Sequence, residues 1–368
     1  MKILFIGGSF DDNGGRPSSV VTKFSNEISK NKDIKLSVFN GGYFENIESI
    51  LNLSIENDAV FWWANVPNDK PKIRDVKSIN SKVMLVTSKR NDNEKYNFSE
   101  LINRALSAKA NLCIEFSKHN DKFCMMLFDP LGNCWFKGEN IKDCCNVLLK
   151  RLDFLRSITR QSTINVNNEV GISNDISQYL QMIQGEEDFF DVIKNYAETF
   201  HELINPAPNV TRFLGNSSFR CQRGFPSLRK NGIVFVSKRN IDKRFIDING
   251  FVPTKLHEEN IFYWGENKPS VDTPIQLRLY ERLKNIEYMI HAHVYIQNAP
   301  FTKNMIPCGG LQEVNEVLQI IENDFGSFDK DFYAINLIGH GCIVMSSDVE
   351  KLKGINYIRR ILPENIIQ

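Results

Sequence analysis

The feature that most constrains the fold is a series of short, continuous apolar segments in the first half of the chain. Five such segments occupy residues 2–6, 35–39, 59–63, 82–87 and 111–116. Continuous apolar runs of this length are typical of strands buried on both faces of a parallel sheet. Amphipathic stretches between them, at 20–29 and 98–108 for example, predict helices. The alternation indicates a doubly wound α/β domain.

A hairpin pattern and a long amphipathic segment follow. Apolar residues 123–128 and 134–136 flank the turn-forming residues 129–133 and predict an antiparallel hairpin at the sheet edge. Residues 141–157 predict a helix that closes the domain. We therefore expect a Rossmann-like domain over residues 1–158, a polar linker over 159–177 and a second domain over 178–368.

Length and composition set further limits. The 368 residues are enough for two domains with sizeable cores. Charge is balanced, with 45 Lys and Arg against 44 Asp and Glu, so we expect neither nucleic acid nor an anionic membrane as a partner. No apolar run reaches the roughly 18 residues of a membrane span. The apolar start is soon interrupted by Gly7, so we expect no signal peptide and a cytoplasmic protein.

The eight cysteines show no C-x-x-C spacing and stand mostly in apolar segments. This pattern is typical of reduced structural cysteines. Cys308 and Cys342 are of further interest because both flank the histidines discussed below.

A glycine-rich loop follows the first predicted strand, with the sequence Gly7-Gly8-Ser9-Phe10-Asp11-Asp12-Asn13-Gly14-Gly15-Arg16-Pro17-Ser18-Ser19. Glycines allow a ligand to approach the backbone, Ser18 can cap the next helix, and Arg16 can pair with phosphate. We predict a phosphate or nucleotide-like ligand beside Gly7, Gly8, Gly14, Gly15, Arg16 and Ser18. A long loop without a ligand is the alternative, because neither a Walker A motif nor a complete G-x-G-x-x-G is present.

Three histidines in two short motifs predict a metal site in the second domain. His291 and His293 stand two positions apart in a strand-like segment, so both imidazoles project from one face. His340, in a Gly-His-Gly sequence, can complete a trio of nitrogen ligands. Packed, hydrogen-bonded histidines without a metal are the alternative.

Three upstream segments, taken together with these histidines, resemble the class II aldolase/adducin family. The segments are Leu214-Gly215-Asn216-Ser217-Ser218-Phe219-Arg220, Val236-Ser237-Lys238-Arg239-Asn240-Ile241-Asp242-Lys243 and Lys268-Pro269-Ser270-Val271-Asp272. The resemblance covers roughly residues 178–350. It implies an α/β/α domain, a divalent ion such as Zn²⁺ on the three histidines, and a homo-oligomer such as a tetramer. The implied activity is cleavage, epimerisation or dehydration of a phosphosugar or related anionic polyol through an enediolate.

By the same resemblance, seven polar residues would contact the substrate and a carboxylate would catalyse. The substrate-binding positions are Asn216, Ser237, Lys238, Arg239, Asn240, Lys268 and Ser270. Asp272 falls where the family usually has its catalytic glutamate. The alternative for Asp272 is a capping role at the helix that Pro274 begins.

The segment after His293 is shorter than the family pattern, since only 13 positions separate His293 from Ile306. In several family members the longer segment carries a proton-transfer group, for which Tyr295, Lys303 and Glu313 are the nearest substitutes here. Adducin is a non-enzymatic member of the family. A binding or oligomer-scaffold protein with a nucleotide-binding first domain therefore stays as the alternative function.

Overall fold

The fold was analysed in a computed structural model that describes residues 1–66, 83–91, 101–102, 105, 108–119, 122–162, 168–172, 176–204, 214–220, 232–306 and 308–360. The chain forms two units, which comprise the described parts of Met1–Arg160 and of Gln161–Leu362. Within the described ranges, no helix combines the length and the apolar character needed to cross a membrane.

The first unit is built on one sheet. Its strands are β1 (Lys2–Asp11), β2 (Lys35–Tyr43), β3 (Ala59–Asn65), β4 (Met84–Asn91), β5 (Leu112–His119), β6 (Lys122–Phe128) and β7 (Cys134–Gly138). They lie in the order β2-β1-β3-β4-β5-β6-β7, with β1 to β5 parallel and β6 and β7 antiparallel. The predicted doubly wound, mostly parallel sheet with a hairpin at its edge is confirmed.

Helices of this unit include α1 (Ser19–Ile28), α2 (Ile47–Asn52) and α3 (Ile141–Ser162). The side chain of Phe24 in α1 packs against Trp63 and Phe116 of the sheet, with ring centroids 4.9 Å and 5.7 Å apart. α3 is longer than the predicted segment 141–157, because no glycine or proline interrupts it. The predicted helix over 98–108 lies mostly outside the described residues.

The second unit is built mainly on an antiparallel sheet. Its strands are β8 (Asn168–Ile172), β9 (Asn216–Arg220), β10 (Ile233–Ser237), β11 (Phe251–His257), β12 (Asn260–Trp264), β13 (Tyr288–Ala292), β14 (Tyr295–Ile296), β15 (Phe332–Leu337), β16 (Gly341–Ser346) and β17 (Tyr357–Ile358). Eight of them lie in the order β15-β16-β13-β9-β10-β11-β12-β8, and only β12 and β8 are parallel neighbours. The strands β14 and β17 form a separate pair.

Helices cover both faces of this eight-stranded sheet. They are α4 (Ser177–Met182), α5 (Glu187–Ile204), α6 (Thr273–Arg282) and α7 (Gln312–Ile320). Phe190 of α5 packs with Phe219 on one face, and Leu279 of α6 and Val317 of α7 pack with Met289 on the other. The predicted α/β/α layering is therefore confirmed.

The predicted linker over 159–177 differs from the structure. Within that range α3 continues to Ser162, and β8 pairs in parallel with β12 along its whole length. The strand forms because the open edge of β12 offers backbone N–H and C=O groups to a neighbouring segment. Residues 163–167 and 173–175 lie outside the described ranges.

Candidate active site

The candidate site lies where the sheet of the second unit meets the first residues of α6 and α7. His291 is in β13, on the same face as Met289, which packs among residues of these two helices. Asp272 immediately precedes α6, and Glu313 is in the first turn of α7. Alternation along β13 thus brings a histidine to the side of the sheet on which both acidic residues lie.

His291, His293 and His340 form one cluster. The ring centroid of His291 is 4.6 Å from that of His340 and 5.1 Å from that of His293, and the remaining pair is 5.4 Å apart. One nitrogen of each ring lies within 4.8 Å of the others. Nitrogens bound to one tetrahedral ion at about 2.0–2.1 Å lie roughly 3.3 Å apart. Small rotations of the rings would bring all three onto one ion.

Hydrogen bonds to Nδ1 leave two Nε2 atoms available to an ion. The Nδ1 of His291 donates to the backbone carbonyl of Cys342 at 2.9 Å, so its Nε2 carries a lone pair. The Nδ1 of His340 lies 2.7 Å from Oε1 of Glu313, a carboxylate–histidine pair common beside metals. Both rings are buried, and neither Nε2 has a hydrogen-bond partner in the described ranges. Because an unpaired buried nitrogen is costly, this donor set fits a metal ion.

The pKa values of the three imidazoles diverge. Burial, together with the charge of His340, lowers the pKa of His291 to about 4. Burial and the two neighbouring rings lower the pKa of His293 as well. Burial opposes charge on His340, yet Cys308 and Glu313 raise its pKa well above the usual value. Two of the nitrogens are therefore ready to ligate at neutral pH, while His340 must release a proton to the solvent as an ion binds.

Asp272 is held beside the histidines by two hydrogen bonds. Its Oδ2 accepts from Nδ2 of Asn216 at 2.7 Å, and its Oδ1 accepts from the N–H of Gly309 at 3.0 Å. The same Oδ2 lies 3.8 Å from Nε2 of His291. Although Asp272 stands at the N-cap of α6, its side chain makes no capping hydrogen bond.

Both polar atoms of the Asn216 side-chain amide are hydrogen-bonded within the protein. Its Oδ1 accepts from Nε2 of Gln276, while its Nδ2 holds Asp272. Asn216 lies opposite His291 in the register of β9 and β13. The preceding Gly215 has a φ of 75°, and a Cβ there would stand 1.8 Å from the His291 carbonyl oxygen, so only glycine fits. Asn216 thus holds the side chain of Asp272, whereas the sequence predicts that Asn216 contacts the substrate.

Four more of the predicted substrate-binding residues lie at the end of β10, just after it, or just before α6. Ser270 donates its N–H to the carbonyl of Ser237 at 3.1 Å, and both serines are buried. The Ser237 hydroxyl accepts from the N–H of Ser217 at 3.2 Å. Lys238 is half-buried, and Asn240 is exposed in the left-handed region with a φ of 63°.

Two predicted cations form ion pairs with one carboxylate. Arg239 Nη2 lies 2.9 Å from Oε1 of Glu169, and Lys268 Nζ lies 3.6 Å from Oε2 of the same residue. The Nε of Arg239 also donates to the carbonyl of Pro269 at 3.1 Å. Because Glu169 belongs to β8, these cations fasten the edge strand, whereas the sequence predicts that they bind a substrate anion.

Lys243 is a candidate that sequence reasoning missed. It is only 4% exposed, and no carboxylate of the described chain lies within ion-pair distance of its ammonium group. The neighbouring Asp242 instead pairs with Arg244, whose Nη2 lies 2.6 Å from Oδ2. Burial lowers the pKa of Lys243 to about 8, and the charges of Asp242 and Asp272 partly oppose this shift. Lys243 stands in the same basic run as Lys238, but a pattern of charges does not indicate which residue turns inward.

The three predicted proton-transfer substitutes have different surroundings, and their roles stay predictions. Burial raises the pKa of Glu313, which contacts His340 as described above. The hydroxyl of Tyr295 accepts from the N–H of Gly339 at 2.9 Å. Lys303 is exposed.

The two cysteines beside the histidines differ in exposure. Cys342 is fully buried, and burial raises the pKa of its thiol. Cys308 is exposed, and its Sγ lies 4.0 Å from Nε2 of His293.

In the first unit, hydrogen bonds within the glycine-rich loop join its two sides. β1 runs through Gly7 and Gly8 to Asp11, beyond the predicted end at residue 6. The N–H of Ser9 donates to the carbonyl of Arg16 at 2.8 Å, and the N–H of Arg16 donates to the Ser9 hydroxyl at 2.7 Å. Gly15 has a φ of 53°, and a Cβ there would lie 1.9 Å from the Ser9 carbonyl oxygen.

The remaining predicted ligand residues flank this closure. Gly14 lies in the turn with a φ of 99°, and the Ser18 hydroxyl accepts from the N–H of Val21 at the start of α1. The strand order changes direction at β1, between β2 and β3, and open α/β sheets commonly bind ligands at such a point. A phosphate or nucleotide-like ligand at this loop stays a prediction.

No protein-family model matches the sequence, and none of the curated proteins compared with it matches. Among solved structures, L-fuculose 1-phosphate aldolase is similar with 15% identity and a TM-score of 0.30, over 48% of this chain and 92% of that chain. YgbL from Klebsiella pneumoniae is similar with 12% identity and a TM-score of 0.30, over 48% of this chain and 96% of that chain.

A DNA/pantothenate metabolism flavoprotein from Streptococcus pneumoniae is similar with 11% identity and a TM-score of 0.33. That alignment covers 42% of this chain and 98% of the flavoprotein. These partial likenesses carry no functional argument, so the function proposed below rests on the residues of this chain.

Proposed function

We propose that the second unit is the catalytic part of a metal-dependent aldolase, epimerase or dehydratase that acts on a phosphosugar or related anionic polyol through an enediolate. One observation carries this proposal: the buried Nε2 atoms of His291 and His340 have no hydrogen-bond partner in the described chain, and Nε2 of His291 lies 3.8 Å from Oδ2 of Asp272. Nitrogen ligands with a position left for substrate suit Zn²⁺. When bound, such an ion supplies the positive charge that stabilises an enediolate.

Asp272 is the group proposed to take and return the substrate proton. Each carboxylate oxygen accepts one N–H from the protein and keeps a lone pair for a proton. The 3.8 Å between Oδ2 and Nε2 of His291 supports the role, because substrate near an ion on His291 would be within reach of Oδ2. Asn216 and Gln276 keep the carboxylate in this position.

Lys243 is proposed to balance the negative charge of the substrate. Arg239 and Lys268 already share Glu169, whereas Lys243 is buried without an ion-pair partner in the described ranges. A buried, unpaired ammonium group is unfavourable until an anion approaches it. Its electrostatic interaction with Asp272 and His291 supports a position near the reacting groups.

Metal analysis followed by turnover assays tests this function. The purified protein should contain about one divalent ion per chain, and the loaded protein should act on at least one member of a panel of pentose and hexose phosphates. Asp272→Asn should keep the metal and lose about 10²-fold or more in turnover, because an amide cannot accept the proton. Asp324→Asn, at an exposed aspartate, is the matched control and should retain full activity.

The scaffold alternative gives a different result in the same assays. A protein that holds metal but turns over none of these substrates, with or without Asp272, would support a binding or oligomer-scaffold role. A wild-type protein without stoichiometric metal would reject the metal-dependent function.

Self-association belongs to this proposal as well. The family resemblance implies a homo-oligomer, such as a tetramer, that binds only a small-molecule substrate. Light scattering at micromolar concentration should give a mass above that of one chain, and a strict monomer would contradict the expectation.

A further inference from the structure

The geometry points to Cys308 as a fourth ligand of the ion that the three histidines are proposed to hold. This inference rests on the proposed metal site and adds one specific residue to it. Cys308 lies just before α7, and its Sγ is 4.0 Å from Nε2 of His293. Its thiol also interacts electrostatically with His340, whose pKa it raises. One sulfur atom therefore lies near two of the three imidazoles.

A second observation, independent of the cysteine, points to a ligand at this position. The Nε2 atoms of His291 and His340 are buried and have no hydrogen-bond partner among the described residues. Nδ1 of His291 donates to a carbonyl oxygen, so its Nε2 carries a lone pair, and Nε2 of His340 gains one when that ring releases its proton. The sulfur thus adjoins two buried nitrogens that have no hydrogen-bond partner among the described residues.

The distances suit one tetrahedral ion. With a metal–sulfur distance of about 2.3 Å and a metal–nitrogen distance of about 2.0–2.1 Å, sulfur and nitrogen ligands lie roughly 3.6 Å apart. The 4.0 Å between Cys308 and His293 is within a few tenths of an ångström of that value. Rotation about the Cys308 side chain, which is exposed, is enough to close the difference.

The backbone next to Cys308 is fixed to the site. The N–H of Gly309 donates to Oδ1 of Asp272 at 3.0 Å, and the N–H of Glu313 donates to the carbonyl of Gly310 at 3.0 Å. These bonds tie the turn that carries the thiol to both acidic residues of the site. An exposed cysteine is therefore kept at a defined distance from the histidines.

Asp272 is the competing candidate for the fourth position. Its Oδ2 lies 3.8 Å from Nε2 of His291, but both of its oxygens already accept N–H groups. The described contacts of Cys308 are to the histidines alone. The thiol is thus the donor with fewer competing bonds.

Ligation by Cys308 would have two chemical consequences. The thiol would give its proton to the solvent and form a sulfur–metal bond, so ion binding would release one proton from Cys308 in addition to the one from His340. Thiolate ligation favours zinc and cobalt over magnesium and manganese. Three nitrogens and one sulfur also complete a tetrahedron at rest, so substrate must displace the sulfur or add a fifth ligand.

Cobalt substitution of the full chain tests the inference with a spectroscopic readout. Metal-free protein is titrated with Co²⁺, and the visible d–d bands and the near-ultraviolet thiolate-to-cobalt charge-transfer band are recorded. Wild type should show both. Cys308→Ser should keep the d–d bands, lose the charge-transfer band and bind Zn²⁺ about tenfold more weakly or worse. Cys134→Ser, a half-buried cysteine of the first unit, is the control and should match wild type.

The outcomes separate this inference from the metal site itself. Cobalt d–d bands without a charge-transfer band in wild type would overturn the role of Cys308, favour Asp272 and leave the histidine site intact. A charge-transfer band that survives in Cys308→Ser would overturn it too, because another thiol would then be the ligand. Failure of wild type to bind Co²⁺ would reject both the inference and the proposed metal site.

Discussion

The glycine-rich loop of the first unit and the histidine cluster of the second unit both look like ligand sites in the sequence, but they treat their polar groups differently. In the loop, Ser9 and Arg16 exchange two hydrogen bonds, and Oδ1 of Asp11 accepts from the N–H of Gly15 at 3.0 Å. In the cluster, the buried Nε2 atoms of His291 and His340 have no such partners in the described chain.

The difference is the physical ground for proposing an ion at the cluster. Leaving a buried polar group unpaired costs about 1–3 kcal/mol, so a fold retains one only where something else compensates. In the loop, Ser9 and Arg16 satisfy one another's backbone N–H groups, and Gly15 is required by that closure. The cluster leaves two buried nitrogens without a partner in the described chain, which supports the proposed cation, and the buried Lys243 supports the proposed anion.

The largest effect is expected at the histidines. A His291→Ala, His293→Ala double variant should lose its metal almost completely and, with it, measurable turnover, because one imidazole cannot replace three. Elemental analysis and circular dichroism check occupancy and folding together. His257→Ala, at an exposed histidine of β11, should keep both the metal and the activity. If the double variant retained stoichiometric metal, His291 and His293 would not be needed for metal binding, and the cluster would not differ from the loop in this respect.

Lys243→Met should stabilise the protein while weakening binding of an anionic substrate. The folded-state pKa is about 8, below the unfolded value of 10.5, so the unfolded state binds more protons and wild-type stability rises with pH between these values. Below about pH 8 the full penalty is present, on the order of 3 kcal/mol as an upper limit. Denaturant titrations should therefore show the gain at pH 7 and its loss by about pH 10.5.

Lys284→Met replaces an exposed lysine of the same unit and serves as the control, with little expected change in stability or its pH dependence. If Lys243→Met were less stable than wild type at pH 7, the ammonium group would have a structural partner and its assignment to the substrate would be withdrawn.

The smallest effects are expected in the loop. Gly15→Ala should destabilise the first unit by roughly 2 kcal/mol, because a Cβ disfavours a positive φ and would stand 1.9 Å from the Ser9 carbonyl oxygen. Arg16→Ala should change stability by less than about 0.5 kcal/mol, since its side chain is exposed. Thermal unfolding measures both. Calorimetric titration with nucleotides and sugar phosphates tests for a ligand at the loop. Binding by wild type that is weaker in Arg16→Ala would support one.

Much of the fold was predictable because a strand that is buried on two faces consists of a continuous run of apolar residues. The segments at 2–6, 35–39 and 59–63 became β1, β2 and β3 with nearly the same starts. The segment at 168–172 was not predictable, because its strand depends on the open edge of β12, and its own residues resemble a polar linker. The length of α3 depended on the absence of a stop signal, which marks a boundary weakly.

The candidate site was predictable only in part. The spacing of His291 and His293 in a strand implied one shared face, and the structure groups both with His340. The partners of Asn216 and Arg239 could not be read from the sequence, since Gln276 lies 60 positions from Asn216 and Glu169 lies 70 positions from Arg239.

The sequence by itself therefore determined the strand pattern, the two-unit order and the residue types available to a metal, because periodicity and side-chain chemistry are local properties. Only the tertiary structure decided which charges are free and which are paired. It buried Lys243, paired Arg239 and Lys268 with Glu169, and brought Cys308 to within 4.0 Å of His293. The physical reason is that burial and ion pairing depend on residues distant in the chain, and these determine the free energy of each charge.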